Sequence, residues 1–113
     1  MLAKDNKIKT NSEFDSIKKN GIVYQSENFG IIVLDRKDSA KPRFGFIVST
    51  KVDKMSIHRN RVKRALSEGV RFSLGLVPPG LDMIFLAKKS IVNKTTEEIM
   101  KEVETFLRQI PEK

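Results

Sequence analysis

Cysteine and tryptophan are absent from this 113-residue chain, which has a single histidine and a single tyrosine. Without cysteine there is neither a disulfide framework nor a cysteine-ligated metal, and such a composition suits a reducing compartment. No apolar run approaches the ~20 residues of a membrane span, and the start MLAKDNKIK lacks the apolar stretch of a secretory signal. We therefore expect a cytoplasmic protein with no membrane partner.

Residues able to carry out catalysis are also scarce. His58 is the only histidine, and no histidine and carboxylate have the spacing of a metal site. A nuclease with its own chemistry needs clustered acids for metal ions, or a general acid and a general base. Asp35 and Asp38 could hold a hydrated divalent ion, but the two cations between them favour a solvated turn. The sequence thus predicts no catalytic residue and no metal ligand.

Positive charge, by contrast, is abundant and concentrated. The chain carries 22 Lys and Arg against 14 Asp and Glu, a formal net charge of +8. Residues 49–71 hold seven of the basic side chains and only two acids. A solvated helix face usually mixes its signs, so this one-sided segment favours a polyanion, and nucleic acid in particular, as the partner.

The basic segment has the periodicity of an amphipathic helix, with Ser56 as the predicted N-cap. At about 100° per residue, one arc contains Arg59, Asn60, Lys63, Arg64, Ser67 and Arg71. Another arc contains Met55, Val62, Ala65, Leu66, Gly69 and Val70, which we expect to be buried. The pattern therefore predicts one face for the core and one basic face for phosphates.

The remaining elements follow from capping and alternation. Thr10 and Glu13 form a predicted capping box for a helix over residues 12–19 that ends before Gly21. Strands are predicted over residues 22–24, 29–34, 43–49 and 81–87, and a last helix from a second capping box at Thr95 up to Pro111. On the third strand, Phe44, Phe46 and Val48 face one side, and Gly45, Ile47 and Ser49 the other. We expect one α+β domain over residues 1–113, α-β-β-β-α-β-α, with a four-stranded sheet.

One pair of segments resembles a known family. The run Arg43-Phe44-Gly45-Phe46-Ile47-Val48-Ser49, then Lys51, then Arg59-Asn60-Arg61-Val62-Lys63-Arg64, is similar to the RNR-motif region of the bacterial ribonuclease P protein component. The resemblance implies a fold like domain 2 of ribosomal protein S5, with a left-handed βαβ crossover around the basic helix. General topology favours a right-handed crossover, and we follow the family on this point.

The resemblance also implies a function. The chain would be the protein subunit of the ribonuclease P ribonucleoprotein, binding the ribonuclease P RNA and the 5′ leader of precursor tRNA. It would assist removal of that leader, with the active site and its Mg²⁺ held mainly by the RNA and no protein partner required. If about five phosphates are engaged, log affinity against log salt should slope at roughly −3.5 to −4.5.

The family's binding residues carry over by position. The expected RNA-binding residues are Lys51, Lys54, Arg59, Asn60, Arg61, Lys63, Arg64 and Arg71. The expected leader cleft, between the first helix and the sheet, contains Phe14, Lys18, Ile32, Ile47 and Ser49. Lys18 and Ile32 stand where the family often has aromatics, and Ser67 where it usually has arginine, so we expect weaker stacking in the cleft. Phe14 is either a wall of the cleft or a core residue.

Three other functions stay open on the residues alone. A generic RNA-binding or ribosomal-type protein would share the charge, although it does not require Arg-Asn-x-x-Lys-Arg after an Arg-x-Gly strand. A DNA reader would place the basic helix in a major groove, but the neighbouring segments are predicted strands rather than a paired helix. A metal-dependent nuclease acting alone would need acidic residues that the sequence does not cluster.

Overall fold

The computed structural model describes residues 2–110. Its main elements are α1 (Asn11–Asn20), β1 (Ile22–Gln25), β2 (Phe29–Asp35), β3 (Arg43–Ile47), α2 (Ser56–Phe72), β4 (Leu81–Ala87) and α3 (Thr96–Arg108). Short 3₁₀ turns occupy Lys4–Asn6, Leu74–Leu76 and Lys89–Asn93. The element order confirms the predicted α+β arrangement, and no helix among these residues is long and apolar enough to cross a bilayer.

The four strands form one sheet in the order β1-β2-β4-β3. The β1–β2 and β2–β4 pairs are antiparallel, whereas β3 and β4 are parallel. Parallel neighbours need a crossover connection, and α2 lies within it, as the sequence predicts; the left-handed sense of that crossover stays a prediction. Because β3 is an edge strand, one side of its backbone is available to whatever lies next to the sheet.

Helices cover both faces of the sheet. On one face, α2 and α3 pack over Phe29, Phe44, Met83 and Phe85, which are fully or almost fully buried. On the other face, α1 covers a smaller cluster around Ile17, which is also buried. The alternation of side chains along β3 is as predicted, so the basic helix and the first helix lie on opposite faces of the same edge strand.

Both predicted capping boxes are present. The Thr10 hydroxyl accepts from the Glu13 amide, and Thr95 does the same for Glu98 at the start of α3. Gly21 has an ordinary φ of −83°, so its role is not left-handed geometry. A Cβ there would lie 2.6 Å from Ile32 Cγ2, and the glycine therefore lets α1 approach β2. Pro111, the predicted limit of the last helix, lies outside the described residues.

Two predictions at the start of α2 are wrong. Ser56 is the first helical residue rather than the N-cap; Met55 precedes it with extended backbone and no side-chain cap bond. Met55 is also 56% exposed rather than buried. It lies outside the helix, so the rotation of about 100° per residue does not predict which way its side chain faces. The rest of the predicted arc, from Val62 to Val70, is buried.

The segment before α1 lies along the edge of β3. Leu2 is buried in the cluster under α2 and α3, and Ile8 belongs to the cluster under α1. Between them, Lys7 forms an isolated parallel bridge with Phe44, in which Ile8 N donates to Phe44 O at 3.0 Å. The pairing does not extend along β3, so the segment forms one wall of a groove at this edge.

Candidate RNA-binding site

A groove of about 530 Å³ follows the edge of β3 between the N-terminal segment and α2. It is lined by Lys7, Ile8, Phe14, Phe44, Gly45, Phe46, Asn60, Lys63, Arg64 and Ser67. Three of these side chains are cationic, and none of the described residues that line the groove is acidic. A positive groove with an aromatic side chain on one wall is typical of sites for single-stranded nucleic acid.

The basic side of the groove comes from one face of α2. Asn60, Lys63 and Arg64 are exposed there, and within residues 2–110 neither Lys63 nor Arg64 forms an ion pair. Lys63 and Arg64 therefore keep their charge available to a ligand, and Asn60 adds a directional hydrogen-bonding group. Ser67 was predicted on this face but is buried in the groove floor.

The loop before α2 presents Lys51 and Lys54, both exposed. Asp53 holds this loop, because its Oδ1 accepts from Met55 N at 2.8 Å and its Oδ2 lies 3.0 Å from His58 Nδ1. The bond from Met55 N, followed by the one to His58, lowers the pKa of Asp53. His58 itself lies at the surface beside the basic face, as expected, with its other ring nitrogen not engaged by the described residues.

Three predicted RNA-binding arginines have protein partners. Arg59 Nη1 donates to Asp53 O and Lys54 O, and Arg61 donates to Val92 O and Lys94 O. Arg71, at the far end of α2, pairs with Glu68 at 2.8 Å and lies over the Phe72 ring. None of the three lines the groove, so their RNA contacts stay predictions, whereas Asn60, Lys63 and Arg64 are brought together.

The predicted leader cleft is divided by the structure. Phe14, Lys18 and Ile47 line a cavity of about 390 Å³ at the side of α1, together with Asn11 and Asp15. Phe14 also lines the groove, so its half-buried ring joins the two spaces.

The other two cleft residues lie elsewhere. Ile32 is on the predicted side of the sheet but is only 6% exposed, because α1 packs over it. Ser49 is exposed beyond the end of β3 and lines neither cavity. Ile32 is therefore a core residue in this structure, and of the five predicted cleft residues Phe14, Lys18 and Ile47 are the ones that line the cavity at α1.

The position of the Phe14 ring depends on Gly45. A Cβ on Gly45 would lie 2.5 Å from Cε1 and Cζ of Phe14, so the absence of a side chain lets the ring rest on β3. Arg43 secures α1 from the same strand, because its Nη1 donates to Glu13 Oε2 at 2.7 Å. Hydrogen bonding by Arg43 lowers the pKa of Glu13 to about 2.

Arg43 belongs to a charge network that sequence reasoning missed. Its Nε and Nη2 donate to the two oxygens of Asp82, which also accepts a bond from Arg36 and is 2% exposed. A visible signal was present: Asp82 interrupts the apolar run of β4, and a buried carboxylate needs a cationic partner. The Asp35 and Asp38 turn is held internally, with Asp38 paired to Arg36 at 3.1 Å.

No protein metal site is assigned. Within residues 2–110, no three histidine or acidic side chains come together in a way that could hold a metal ion. On α3, Glu102 accepts bonds from Ser26 and Asn28 and so fastens the β1–β2 turn. The polar side chains that line the groove are those of Lys7, Asn60, Lys63, Arg64 and Ser67, a set of cations and hydrogen-bonding groups that suits an anionic ligand.

Comparison with protein families gives a match over nearly the whole chain. The family model described as "Ribonuclease P" matches residues 2–111. The ribonuclease P protein component of Finegoldia magna is 32% identical over 98 residues, which cover 87% of this chain and 84% of that protein. The protein of the same description from Fusobacterium nucleatum is 32% identical over 105 residues, 93% of each chain.

Solved structures give the same result for the fold. The ribonuclease P protein of Staphylococcus aureus superposes with a TM-score of 0.83 at 28% identity, covering 93% of this chain and 94% of that one. The ribonuclease P protein of Thermotoga maritima superposes with a TM-score of 0.81 at 23% identity, over 94% and 98%. The second match supports the fold alone.

Proposed function

Since this chain belongs to the ribonuclease P protein family, as the protein component of that endoribonuclease, we propose that it binds two RNAs. One is the ribonuclease P RNA, and the other is the 5′ leader of precursor tRNA. By holding both, the chain assists endonucleolytic removal of the leader, which leaves the mature 5′ end of the tRNA. This work takes place in the cytoplasm and needs no further protein.

The observation that carries the proposal is the groove at the edge of β3. Lys63 and Arg64 point their charge into it without a carboxylate partner among the described residues, while Phe14 forms the facing wall. Unpaired cations on a rigid helix neutralise phosphates and release counterions, which makes binding strong and dependent on salt. An aromatic wall adds base stacking that tolerates most sequences.

The ribonuclease P RNA is assigned to α2 and the loop before it. Lys51 and Lys54 continue the cationic surface beyond the first turn of the helix, where Asp53 holds the loop in place. Double-stranded RNA is recognised chiefly through its backbone and shape. A row of lysines and an arginine on one helix and its loop supplies contacts of that kind.

The leader is assigned to the surface around Phe14. Its ring is half-buried between the groove and the cavity at α1, where Lys18 contributes a cation and Ile47 an apolar floor. A single strand can stack one base on the ring and run its phosphates towards Lys18 or Lys63. Apart from Phe44 and Phe46 of β3, Phe14 is the one aromatic residue among the described residues that line the two cavities. Stacking therefore contributes modestly, and charge contributes more.

The phosphoryl chemistry is assigned to the RNA subunit and to Mg²⁺ held mainly by that RNA. The described residues of this chain gather cations and an aromatic ring at the groove, and they do not gather the acids that hold two metal ions. Cations that bind phosphates of both RNAs reduce the repulsion between them, so the holoenzyme works at lower magnesium than the RNA alone.

A three-sample cleavage assay tests the proposal. Precursor tRNA labelled at its 5′ end is incubated at low magnesium with the chain alone, with a bacterial ribonuclease P RNA alone, and with both together. We expect cleavage at the mature 5′ end only in the combined sample. Cleavage by the chain alone would instead indicate an autonomous nuclease, and no gain on combination would indicate a generic RNA-binding or ribosomal-type protein.

A further inference from the structure

The two arginines on either side of Asn60 differ from the cations of the groove. Arg59 Nη1 donates to Asp53 O at 3.0 Å and to Lys54 O at 2.8 Å. Arg61 donates from both terminal nitrogens, Nη1 to Lys94 O at 3.1 Å and Nη2 to Val92 O at 2.9 Å. Each guanidinium is therefore half-buried against backbone carbonyls of another segment.

These bonds occupy Nη1 of Arg59 and both terminal nitrogens of Arg61, which are groups with which an arginine binds phosphate. Strong phosphate recognition by arginine is usually bidentate and needs two parallel N–H donors. Arg61 has both terminal nitrogens engaged, so turning to a phosphate would leave the carbonyls of Val92 and Lys94 without this partner. A partly buried carbonyl that loses its donor carries a desolvation cost, which opposes such a rotation.

Arg59 and Arg61 hold the loop before α2 and the segment before α3, respectively. Arg59 closes the loop that presents Lys51 and Lys54, next to the bonds that Asp53 makes to Met55 and His58. Arg61 fastens α2 to the end of the 3₁₀ turn Lys89–Asn93, immediately before the capping box of α3. Both arginines thus fix the basic helix and its loop relative to the rest of the fold.

We propose that Arg59 and Arg61 are positioning residues, and that the phosphates of the RNA are bound by Lys51, Lys54, Lys63 and Arg64. This assignment rests on the proposed function and divides six of the eight RNA-binding residues expected from the sequence into two groups, leaving Asn60 and Arg71 outside them. Arg59 places the loop lysines, and Arg61 places α2, so that the exposed cations present one rigid surface.

Matched substitutions at Arg61 and Arg64 separate the two roles. Each arginine is replaced by Met, which keeps an unbranched stem without charge, and by Lys, which keeps the charge without the planar fork. Binding to a bacterial ribonuclease P RNA is measured across a salt series, and Tm is measured in the absence of RNA. We expect R61M and R61K both to lower Tm by about 5–10 °C and to leave the salt slope unchanged.

The Arg64 variants should behave in the opposite way. R64M should leave Tm unchanged and reduce the salt slope by about 0.7–0.9, whereas R64K should preserve both quantities because a lysine still neutralises a phosphate. The proposal is overturned for Arg61 if R61M reduces the slope as much as R64M does, with R61K restoring it and Tm unchanged.

A double-mutant cycle tests Arg59. R59M and K54A are measured singly and together for affinity to the same RNA. If Arg59 positions Lys54, removing Lys54 should reduce affinity by a smaller factor in the R59M background than in the native chain. Two independent phosphate contacts would instead give losses that multiply, and that result would contradict the assignment.

A measurement on the native protein tests the same assignment without any substitution, in case a variant folds poorly. The side-chain N–H resonances of the arginines are followed by NMR during titration with the RNA. Those of Arg64 should shift or broaden, while those of Arg61 should stay in place; equal shifts would overturn the proposal. If the native chain bound no RNA, the proposed function and this assignment would both fail, whereas binding with Arg61 in contact would remove only the assignment.

Discussion

The two ends of the β3 edge use cations in opposite ways. At the start of the strand, Arg43 and Arg36 surround Asp82, a carboxylate that is 2% exposed, and Arg43 also reaches Glu13 on α1. Further along the same edge, Lys63 and Arg64 line the groove with no carboxylate opposite them among the described residues. The chain therefore has two sets of charges. The closed set is Arg36, Arg43, Asp82 and Glu13, which pair with one another. The open set is Lys63 and Arg64, which line the groove.

The difference shows that the role of a cation depends on what faces it. Asp82 is buried in β4, so removing either of its two partners leaves its charge only partly compensated where water cannot reach it. Removing a groove cation breaks no ion pair among the described residues, so we expect the fold to keep its stability. The charge of that cation is available to a ligand instead. Arginine therefore stabilises the fold at one site and is available for the proposed phosphate contact at the other, a contrast that substitutions can test.

The largest effect is expected at Arg43. Arg43→Met should lower the free energy of unfolding by about 3 kcal/mol, the lower end of the range for a broken buried pair, because Arg36 still contacts Asp82. Urea denaturation measures this change. The control, Arg64→Met, should stay within about 0.5 kcal/mol of the native chain; equal losses from both variants would abolish the contrast.

Gly45 lies between the two sets of charges and should give the next effect. Gly45→Ala places a methyl group 2.5 Å from the Phe14 ring, and such overpacking costs about 1–3 kcal/mol. The ring must leave β3, so we also expect weaker binding of a leader-like oligonucleotide. Gly75→Ala is the matched control, because a Cβ there meets nothing within 4 Å. Unchanged leader binding in Gly45→Ala would show that Phe14 is not part of the site.

Removing one groove cation should change binding but not stability. Lys63→Ala should weaken affinity for RNA of any sequence and reduce the salt slope by about 0.7–0.9, with an unchanged Tm. Filter binding across a salt series measures the slope. Lys101→Ala, on the exposed face of α3, removes the same charge away from the groove and should leave the slope intact. A Tm loss in Lys63→Ala would place Lys63 in the closed set.

The smallest effect concerns Glu13 and pH. Arg43 holds the folded-state pKa of Glu13 at about 2, below its unfolded value of 4.5, so the stabilisation is complete above about pH 5 and disappears as pH falls towards 2. Because about a third of the Glu13 side chain is exposed, screening reduces its size. Acid unfolding of Glu13→Gln should lack this component; identical pH profiles for both proteins would show that the pair contributes nothing.

Local patterns were sufficient for much of the fold. Thr10 with Glu13 and Thr95 with Glu98 predicted two helix starts correctly, because a capping box involves residues only three apart. The buried arc from Val62 to Val70 was equally predictable from rotation along a helix. Failures begin where a residue lies just outside its element, as Met55 does, or where another element covers it, as α1 covers Ile32.

The site was predicted in part for the same reason. Asn60, Lys63 and Arg64 share a helix face, so their common exposure follows from spacing alone. The spacing does not distinguish Arg61 from the RNA-binding cations, since its partners are backbone carbonyls 31 and 33 residues away. Every residue has a backbone carbonyl, so the residue types at those positions do not indicate the contact. The sequence placed Arg59 and Lys63 in one set of expected RNA-binding residues, whereas Arg59 bonds to backbone carbonyls and Lys63 lines the groove.

The order of amino acids determined the elements, the concentration of positive charge on one helix face and the scarcity of groups for catalysis. All of these depend on neighbours within a few residues or on composition. Tertiary structure alone decided that β3 lies at the edge, that Phe14 rests on Gly45, and which cations face a carboxylate, a carbonyl or open solvent. Those outcomes depend on contacts between distant segments, whose energies exist only after the chain has folded.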